Sequence, residues 1–287
     1  MPDLEPKNPN LLQKTRELCR LFEIHPKRSK GQNFLINEKI YDEIISAAEL
    51  QAGDFVLEVG PGLGFLTAKM ASIAKKVMAV ELDDTLAKYL QMAIDSQGVE
   101  NVEIVNSDIL KFNFAEKLTG KYKIVANLPY NISSIFLRLV FSLANRPERV
   151  VLMLQKEVAE RICAAPPEMS ILAISVQYYA VPQIIRIVKA GNFWPEPEID
   201  SAIIRMDVKK EFPLAPENEK KFFRLVRIGF SARRKMLKNN LLGGLKIEAK
   251  IIEKALLDNN FDFKLRAEDL RLDDWLKLFA SLEKFMI

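Results

Sequence analysis

The strongest constraint on this chain is an apolar strand that runs into a glycine turn. Phe55-Val56-Leu57-Glu58-Val59 is followed at once by Gly60-Pro61-Gly62-Leu63-Gly64, and residues 65–73 then look helical. A short apolar run bounded by turn residues reads as a buried strand. Glycines let the backbone approach a ligand, and the N-terminus of the following helix favours a carboxylate or phosphate. The unit therefore predicts a nucleotide-type βα fold. Its spacing is G-x-G-x-G, unlike the G-x-G-x-x-G of dinucleotide folds, and a glycine turn alone is weak evidence.

The alternation continues along the chain. A strand over residues 76–80 ends in Glu81, an acid placed to accept from both hydroxyls of a ribose. A helix over 84–94 carries Leu86, Leu90 and Ala93, and a third strand over 102–105 leads to Asn106-Ser107-Asp108. Asp108 stands where a carboxylate could accept from an adenine amine; a turn cap would put the same residue there. The fourth strand, 123–126, runs into Asn127-Leu128-Pro129-Tyr130, and a helix-like run spans 134–144. A fifth strand over 150–154 and a helix over 155–163 follow. Polar side chains thus fall at the carboxyl ends of three successive strands, where open α/β sheets bind ligands.

Asn127-Leu128-Pro129-Tyr130 has its own chemistry. The Asn127 side-chain oxygen and the Leu128 carbonyl are acceptors. Pro129 fixes its φ and can hold the two acceptors at one angle. Tyr130 offers a flat face on which a base can stack. Two acceptors beside a stacking face suit an exocyclic amine on a planar ring, although Asn and Pro are also ordinary turn residues.

Residues 171–180 read as a helix, and strands over 184–188 and 202–208 as a hairpin at the sheet edge. Between them, Phe193-Trp194-Pro195-Glu196-Pro197 is a stiff, extended loop whose aromatics could close over a base. After Pro213 and Pro216 the pattern becomes helical throughout, over 217–230, 247–257 and 268–285. The expected division is an N-terminal arm over 1–30, with an amphipathic piece at 11–22, a catalytic domain over 31–210 and an all-α domain over 211–287.

Composition narrows the function. Residues 208–287 carry 18 Lys+Arg against 12 Asp+Glu, whereas residues 1–207 carry 24 against 26. A basic C-terminal part on a near-neutral body suggests an anionic partner, nucleic acid first. Candidate phosphate contacts are Arg233, Arg234, Lys235 and Lys238, with a basic arm of Lys27, Arg28 and Lys30. His25 is the only histidine, which argues against a His-based zinc site or a Ser-His-Asp triad. Cys19 and Cys163 follow no disulfide pattern, and a reduced, cytoplasmic setting fits. No run of about 18 apolar residues predicts a membrane helix, and no secretory signal is visible.

Taken together, Gly31–Leu35 (GQNFL), Glu58–Gly64 (EVGPGLG), Glu81, Asp108, Asn127–Ser133 (NLPYNIS), Leu154–Glu157 (LQKE), the 193–201 loop and Phe230–Leu241 (FSARRKMLKNNL) resemble the ribosomal RNA adenine dimethyltransferases. The resemblance runs from Gly31 to about Leu241. It implies a class I S-adenosylmethionine-dependent methyltransferase: a Rossmann-like, seven-stranded, mostly parallel sheet with a small helical C-terminal domain. It implies S-adenosylmethionine as donor, S-adenosylhomocysteine as product, and no metal. Asn33, Leu35, Gly60, Gly62, Glu81, Asp108 and Asn127 would bind the donor, with Gly60 against its methionine part. Asn127, Leu128, Pro129, Tyr130 and Phe193 would handle the target base, Tyr130 below it and Phe193 above.

The implied substrate is a pair of adjacent adenosines in a loop near the 3′ end of small-subunit rRNA, each dimethylated at N6 by a monomeric enzyme acting in subunit biogenesis. A large-subunit rRNA methyltransferase of the macrolide-resistance type shares the donor site. A non-catalytic RNA-binding module on this fold would tolerate decay of Asn127–Tyr130, which is intact. An NAD-dependent dehydrogenase leaves Asn127–Tyr130 unexplained.

Overall fold

The computed structural model describes residues 10–26 and 32–286. α1 (Leu11–Leu21) opens them, capped by Asn10, whose side chain accepts from the Gln13 amide. β1 (Phe34–Leu35) and α2 (Glu38–Ala48) follow, the latter capped by Asn37. Strands and helices then alternate: β2 (Phe55–Val59), α3 (Phe65–Ala71), β3 (Lys76–Glu81), α4 (Asp84–Ser96), β4 (Val102–Asn106), α5 (Phe114–Lys117), β5 (Lys123–Asn127), α6 (Ser133–Ser142), β6 (Arg149–Gln155) and α7 (Lys156–Ile162). α8 (Ile171–Tyr179), β7 (Ala180–Val188), β8 (Phe193–Trp194) and β9 (Ser201–Val208) lead into α9 (Pro216–Gly229), α10 (Leu237–Gly244), α11 (Ala249–Asp258) and α12 (Leu272–Leu282).

Seven strands form one sheet in the order β4-β3-β2-β5-β6-β9-β7. Pairs among β2 to β6 are parallel, and β9 joins β6 antiparallel. Val56, Leu57, Ile124, Val125, Val150 and Val151 are fully buried. Strands covered on both faces read as unbroken apolar runs, which is why the sequence marks them clearly. Ile40 and Ile44 of α2 pack with Val56, Val125 and Val151 in one core cluster. A separate two-stranded ribbon pairs β1 with β8, Phe34 opposite Trp194 and Leu35 opposite Phe193.

Charges clamp the amino ends of the central strands. Lys123 Nζ donates to Asp54 Oδ2 at 2.8 Å and to the Glu49 carbonyl at 2.7 Å. Arg149 and Arg205 both bridge Glu49 and Asp207, and Arg149 stands opposite Asp207 in the β6–β9 register. Hydrogen bonds from Arg205 and then Arg149 hold the Glu49 carboxyl down at about 2.

The chain divides into two compact units: residues up to Ala159 with Gln183–Val208, and Glu160–Pro182 with Lys209–Ile287. The second unit thus takes in residues 160–182, which the sequence pattern assigns to the 31–210 domain. The reason is aromatic packing. Tyr178 lies 5.4 Å from the Phe222 ring and 5.1 Å from Phe223, and Tyr179 lies 5.5 Å from Phe212. Such pairs contribute about 0.5–1.5 kcal/mol each beyond the area they bury. The Met169 amide also donates to the Glu268 carbonyl at 3.1 Å. At Gly229 a Cβ would come within 2.2 Å of the Trp275 ring, so only glycine lets α9 pass this side chain. Among the described residues no helix is long and apolar enough to cross a membrane.

One acid in the core of the first unit is unusual. Glu58 on β2 is 1% exposed, and Thr67 Oγ1 donates to its carboxyl at 2.6 Å. Burial pushes this carboxyl up to about 8, the Thr67 hydrogen bond opposes that, and the neighbouring Glu81 charge adds to it. A group whose folded pKa is raised contributes fully to stability below its unfolded value and loses that contribution as pH rises through the folded value. The contribution of Glu58 to stability should therefore be full at or below about pH 4.5, fall as pH rises toward about 8, and level off above it. Glu58→Gln, neutral throughout and still able to accept from Thr67, should show a flatter profile. Urea unfolding of both proteins at pH 5 and pH 8 checks this; parallel profiles would rule it out.

Candidate active site

The carboxyl ends of β2, β3 and β5 open onto one cavity in the first unit. Its walls include Asn33, Leu35, Gly60, Gly62, Glu81, Asn127, Leu128, Pro129 and Tyr130. The glycine turn has left-handed backbone at Gly60 (φ +65) and Gly62 (φ +58), a region that side chains rarely adopt. A Cβ on Gly62 would stand 3.2 Å from the Phe34 ring, and one on Gly60 3.5 Å from the Pro129 ring. The turn is thus cradled between the residues that follow β5 and the β1 segment.

Glu81 ties this turn to the next one. Its carboxylate accepts from the Gly62 amide at 3.1 Å and from the Asp83 amide at 2.9 Å, one on each oxygen. The group is 6% exposed, and burial raises its pKa while these backbone donors oppose the rise. Fixed in this way, each oxygen keeps lone-pair capacity for a further donor.

Asn127 closes β5. Its Nδ2 donates to the Asn33 carbonyl at 3.5 Å, which leaves Oδ1 as the free acceptor. The Leu128 amide donates to the Met153 carbonyl at 3.2 Å, anchoring the turn to β6. Pro129 sits at φ −55, and Tyr130 begins a single 3₁₀ turn. The ring of Tyr130 is half-buried in the cavity wall, and its hydroxyl lies 2.7 Å from Ser201 Oγ.

Two expected site residues stand elsewhere. Asp108 is not among the walls; its Oδ1 accepts from the Leu110 amide at 2.9 Å, so it caps a 3₁₀ turn. Phe193 is 2% exposed and packs in the core cluster that holds Leu35. Its backbone pairs with β1, and its ring is not part of the cavity wall in this structure.

Other wall residues were not singled out by sequence. Tyr41 donates its hydroxyl to the Leu35 carbonyl at 3.0 Å, fixing β1 from α2. Leu82 follows Glu81 and is 58% exposed at the cavity, an apolar face fit for a planar ring. Its position directly after the ribose acid was the available signal. Asn192, outside the wall, supports the β1 segment with no signal in the local sequence: its side-chain oxygen accepts from the Asn37 side-chain amide at 2.8 Å, 155 residues away.

The basic residues lie in the second unit. Arg233, Arg234 and Lys235 are exposed in the segment between α9 and α10. Arg233 reaches Glu268 at 3.5 Å, with its own side chain 83% exposed. Lys238 differs from expectation: it pairs with Glu253 at 2.6 Å and covers the Phe263 ring at 4.7 Å, so it is largely engaged within its own unit. Lys27, Arg28 and Lys30 lie outside the described residues.

The chain is similar in sequence and fold to known proteins. Curated relatives named ribosomal RNA small subunit methyltransferase A include those of Dehalococcoides mccartyi strain CBDB1, 39% identical over 97% of this chain and 96% of theirs, and Bacillus pumilus, 37% identical over 94% and 96%. A dimethyladenosine transferase from Plasmodium falciparum superposes with a TM-score of 0.78 at 29% identity, covering 88% of this chain and 98% of that one. The 23S rRNA methyltransferase ErmE gives 0.74 at 28%, covering 88% and 100%. The mostly parallel seven-stranded sheet is that of the class I S-adenosylmethionine-dependent methyltransferases. Matched over residues 24–284, the chain belongs to the ribosomal RNA adenine dimethylase family.

Proposed function

We propose that the protein transfers methyl groups from S-adenosylmethionine to N6 of two adjacent adenosines in a 3′-terminal hairpin loop of small-subunit rRNA, two to each base. The observation that carries this reading is Asn127-Leu128-Pro129-Tyr130 in the wall of the cavity that the glycine turn and Glu81 also line. The relatives named for the small subunit match nearly end to end, which favours that subunit over the large one. The setting we infer is the cytoplasm, where the enzyme acts as a monomer on subunits being assembled.

The cavity fits the donor. A buried acid with both oxygens fixed by backbone suits a ribose diol, and a turn with glycine at positions 60, 62 and 64 admits close approach of an amino-acid moiety. Asn33, Leu35, Gly60, Gly62, Glu81 and Leu82 would hold it. Asp108, as a turn cap, keeps a second oxygen that an adenine amine could reach. When bound, the donor supplies a methyl group already activated on a sulfonium, so the protein need only place the nucleophile.

The nucleophile is a poor one, because the lone pair of an adenine amine is delocalised into its ring. Asn127 Oδ1 and the Leu128 carbonyl accept its two N–H groups and turn the lone pair toward the methyl. The same acceptors support the positive charge that grows on the nitrogen. Tyr130 stacks against the extruded base; taking the base from a loop costs less than from a helix. Phe193 sits behind the wall, and a roof over the base would require it to leave its core position. Arg233, Arg234 and Lys235 contact phosphates, with Lys27, Arg28 and Lys30 as further contacts and Lys238 a lesser one.

Mass spectrometry of nuclease fragments of the RNA, after unmethylated small and large subunits are each incubated with protein and S-adenosylmethionine, tests the function. N6,N6-dimethyladenosine at two adjacent loop positions is expected. Methyl groups in large-subunit RNA alone would make it the other kind of enzyme, and none at all would leave a binding module. Asn127→Ala should lower the methylation rate at least about 100-fold with melting temperature and subunit binding unchanged; a wild-type rate would remove Asn127 from the mechanism. Reversing Arg233, Arg234 and Lys235 to Glu should reduce the slope of log affinity against log salt by about 2, at about 0.7 per phosphate on single strands. A slope equal to wild type in a titration with an rRNA fragment would show that these side chains touch no phosphate.

A further inference from the structure

We propose that Ser201 is a positioning residue: its hydroxyl tethers the Tyr130 phenol and so sets where the ring lies on which the target base stacks. The proposal rests on the stacking role given to Tyr130 above. Ser201 is fully buried at the start of β9, seventy-one residues beyond Tyr130, and its Oγ lies 2.7 Å from the phenol oxygen. Ser201 is not in the wall of the cavity that Tyr130 lines, so it meets that cavity through the tyrosine.

The anchor is rigid. Ser201 stands opposite Gln155 in the β6–β9 register. The preceding residue, Asp200, accepts from the Ala190 amide at 3.1 Å and from Lys189 Nζ at 2.9 Å, and its carbonyl accepts from the Lys156 amide at 3.0 Å. The other end of the tyrosine is equally fixed, because Pro129 holds its φ and the 3₁₀ turn begins at Tyr130 itself. Burial raises the phenol pKa, which keeps the hydroxyl neutral and able to share a proton with Ser201. A ring held at Cα and at its far oxygen cannot swing about the Cα–Cβ bond, so its long axis keeps one direction across the cavity wall. A base lying on it takes its place from the ring, and small misplacements of a reacting group cost up to about a hundredfold in rate.

Dimethylation makes the placement matter twice. The monomethylated amine has one N–H left and a methyl to accommodate, so it tolerates less angular error than the unmodified amine. A loosened ring should therefore slow the second transfer more than the first.

The test is a mutant cycle of Ser201→Ala and Tyr130→Phe, with Tyr130→Ala as reference, each measured for methylation rate, subunit binding and melting temperature. Each of the first two changes should lower the rate about tenfold with subunit affinity unchanged and N6-monomethyladenosine accumulating. The double variant should be no slower than either single one, because both remove the same contact. Additive losses, or an unchanged ratio of mono- to dimethyl product, would reduce Ser201 to a packing residue. If Tyr130→Ala is inactive while Ser201→Ala keeps wild-type rate and product ratio, the tether fails and the stacking role stands. If Tyr130→Ala itself keeps wild-type rate, the stacking role falls and the tether with it.

Discussion

Parallel strands end at the same edge of a sheet, and the first unit depends on that constraint. β2, β3 and β5 run side by side with β2 in the middle, so whatever the sequence places after each of them meets the others. Glycine turn, acid and amide are separated by tens of residues yet line one cavity. The Glu81 carboxylate secures the meeting by accepting from the turn after β2 as well as from the start of α4. At the opposite edge Lys123, Arg149 and Arg205 fix the strands against Asp54, Glu49 and Asp207, so neither end of the sheet relies on apolar packing alone.

What the sequence made legible follows from burial. Strands such as Ile124-Val125-Ala126 are covered on both faces, and an unbroken apolar run is the signature of that environment. The polar residues at their ends were legible for the same reason, as interruptions of a pattern. Long-range pairing leaves no such mark. Nothing local to 160–182 says that Tyr178 and Tyr179 will seek Phe212, Phe222 and Phe223, so that segment was read with the wrong unit. Phe193 and Asp108 show a related limit. An aromatic in a loop and an acid at a strand end each have a structural use, as core residue and turn cap, that spacing cannot separate from a role in binding.

The basic segment after α9 shows that charge content and charge availability differ. Arg234 and Lys235 are exposed, whereas Lys238, three positions on, is 23% exposed and spends its charge on Glu253. An exposed cation surrounded by water keeps its interaction for a polyanion, while a paired one must first break an internal contact. Composition counts the two equally.

The short ribbon of β1 and β8 has a consequence for how the cavity comes into being. It joins Leu35 to Phe193, and beside it Asn37 meets Asn192 across 155 positions. Closing a loop of that length in a free chain costs on the order of 4 kcal/mol in entropy, more than two residues of backbone pairing return. The ribbon cannot nucleate its own loop; it can only latch onto a sheet that has already drawn its ends together. The wall that Phe34 and Leu35 give to the cavity therefore depends on the sheet for its formation, and both side chains are buried in the core clusters that they complete.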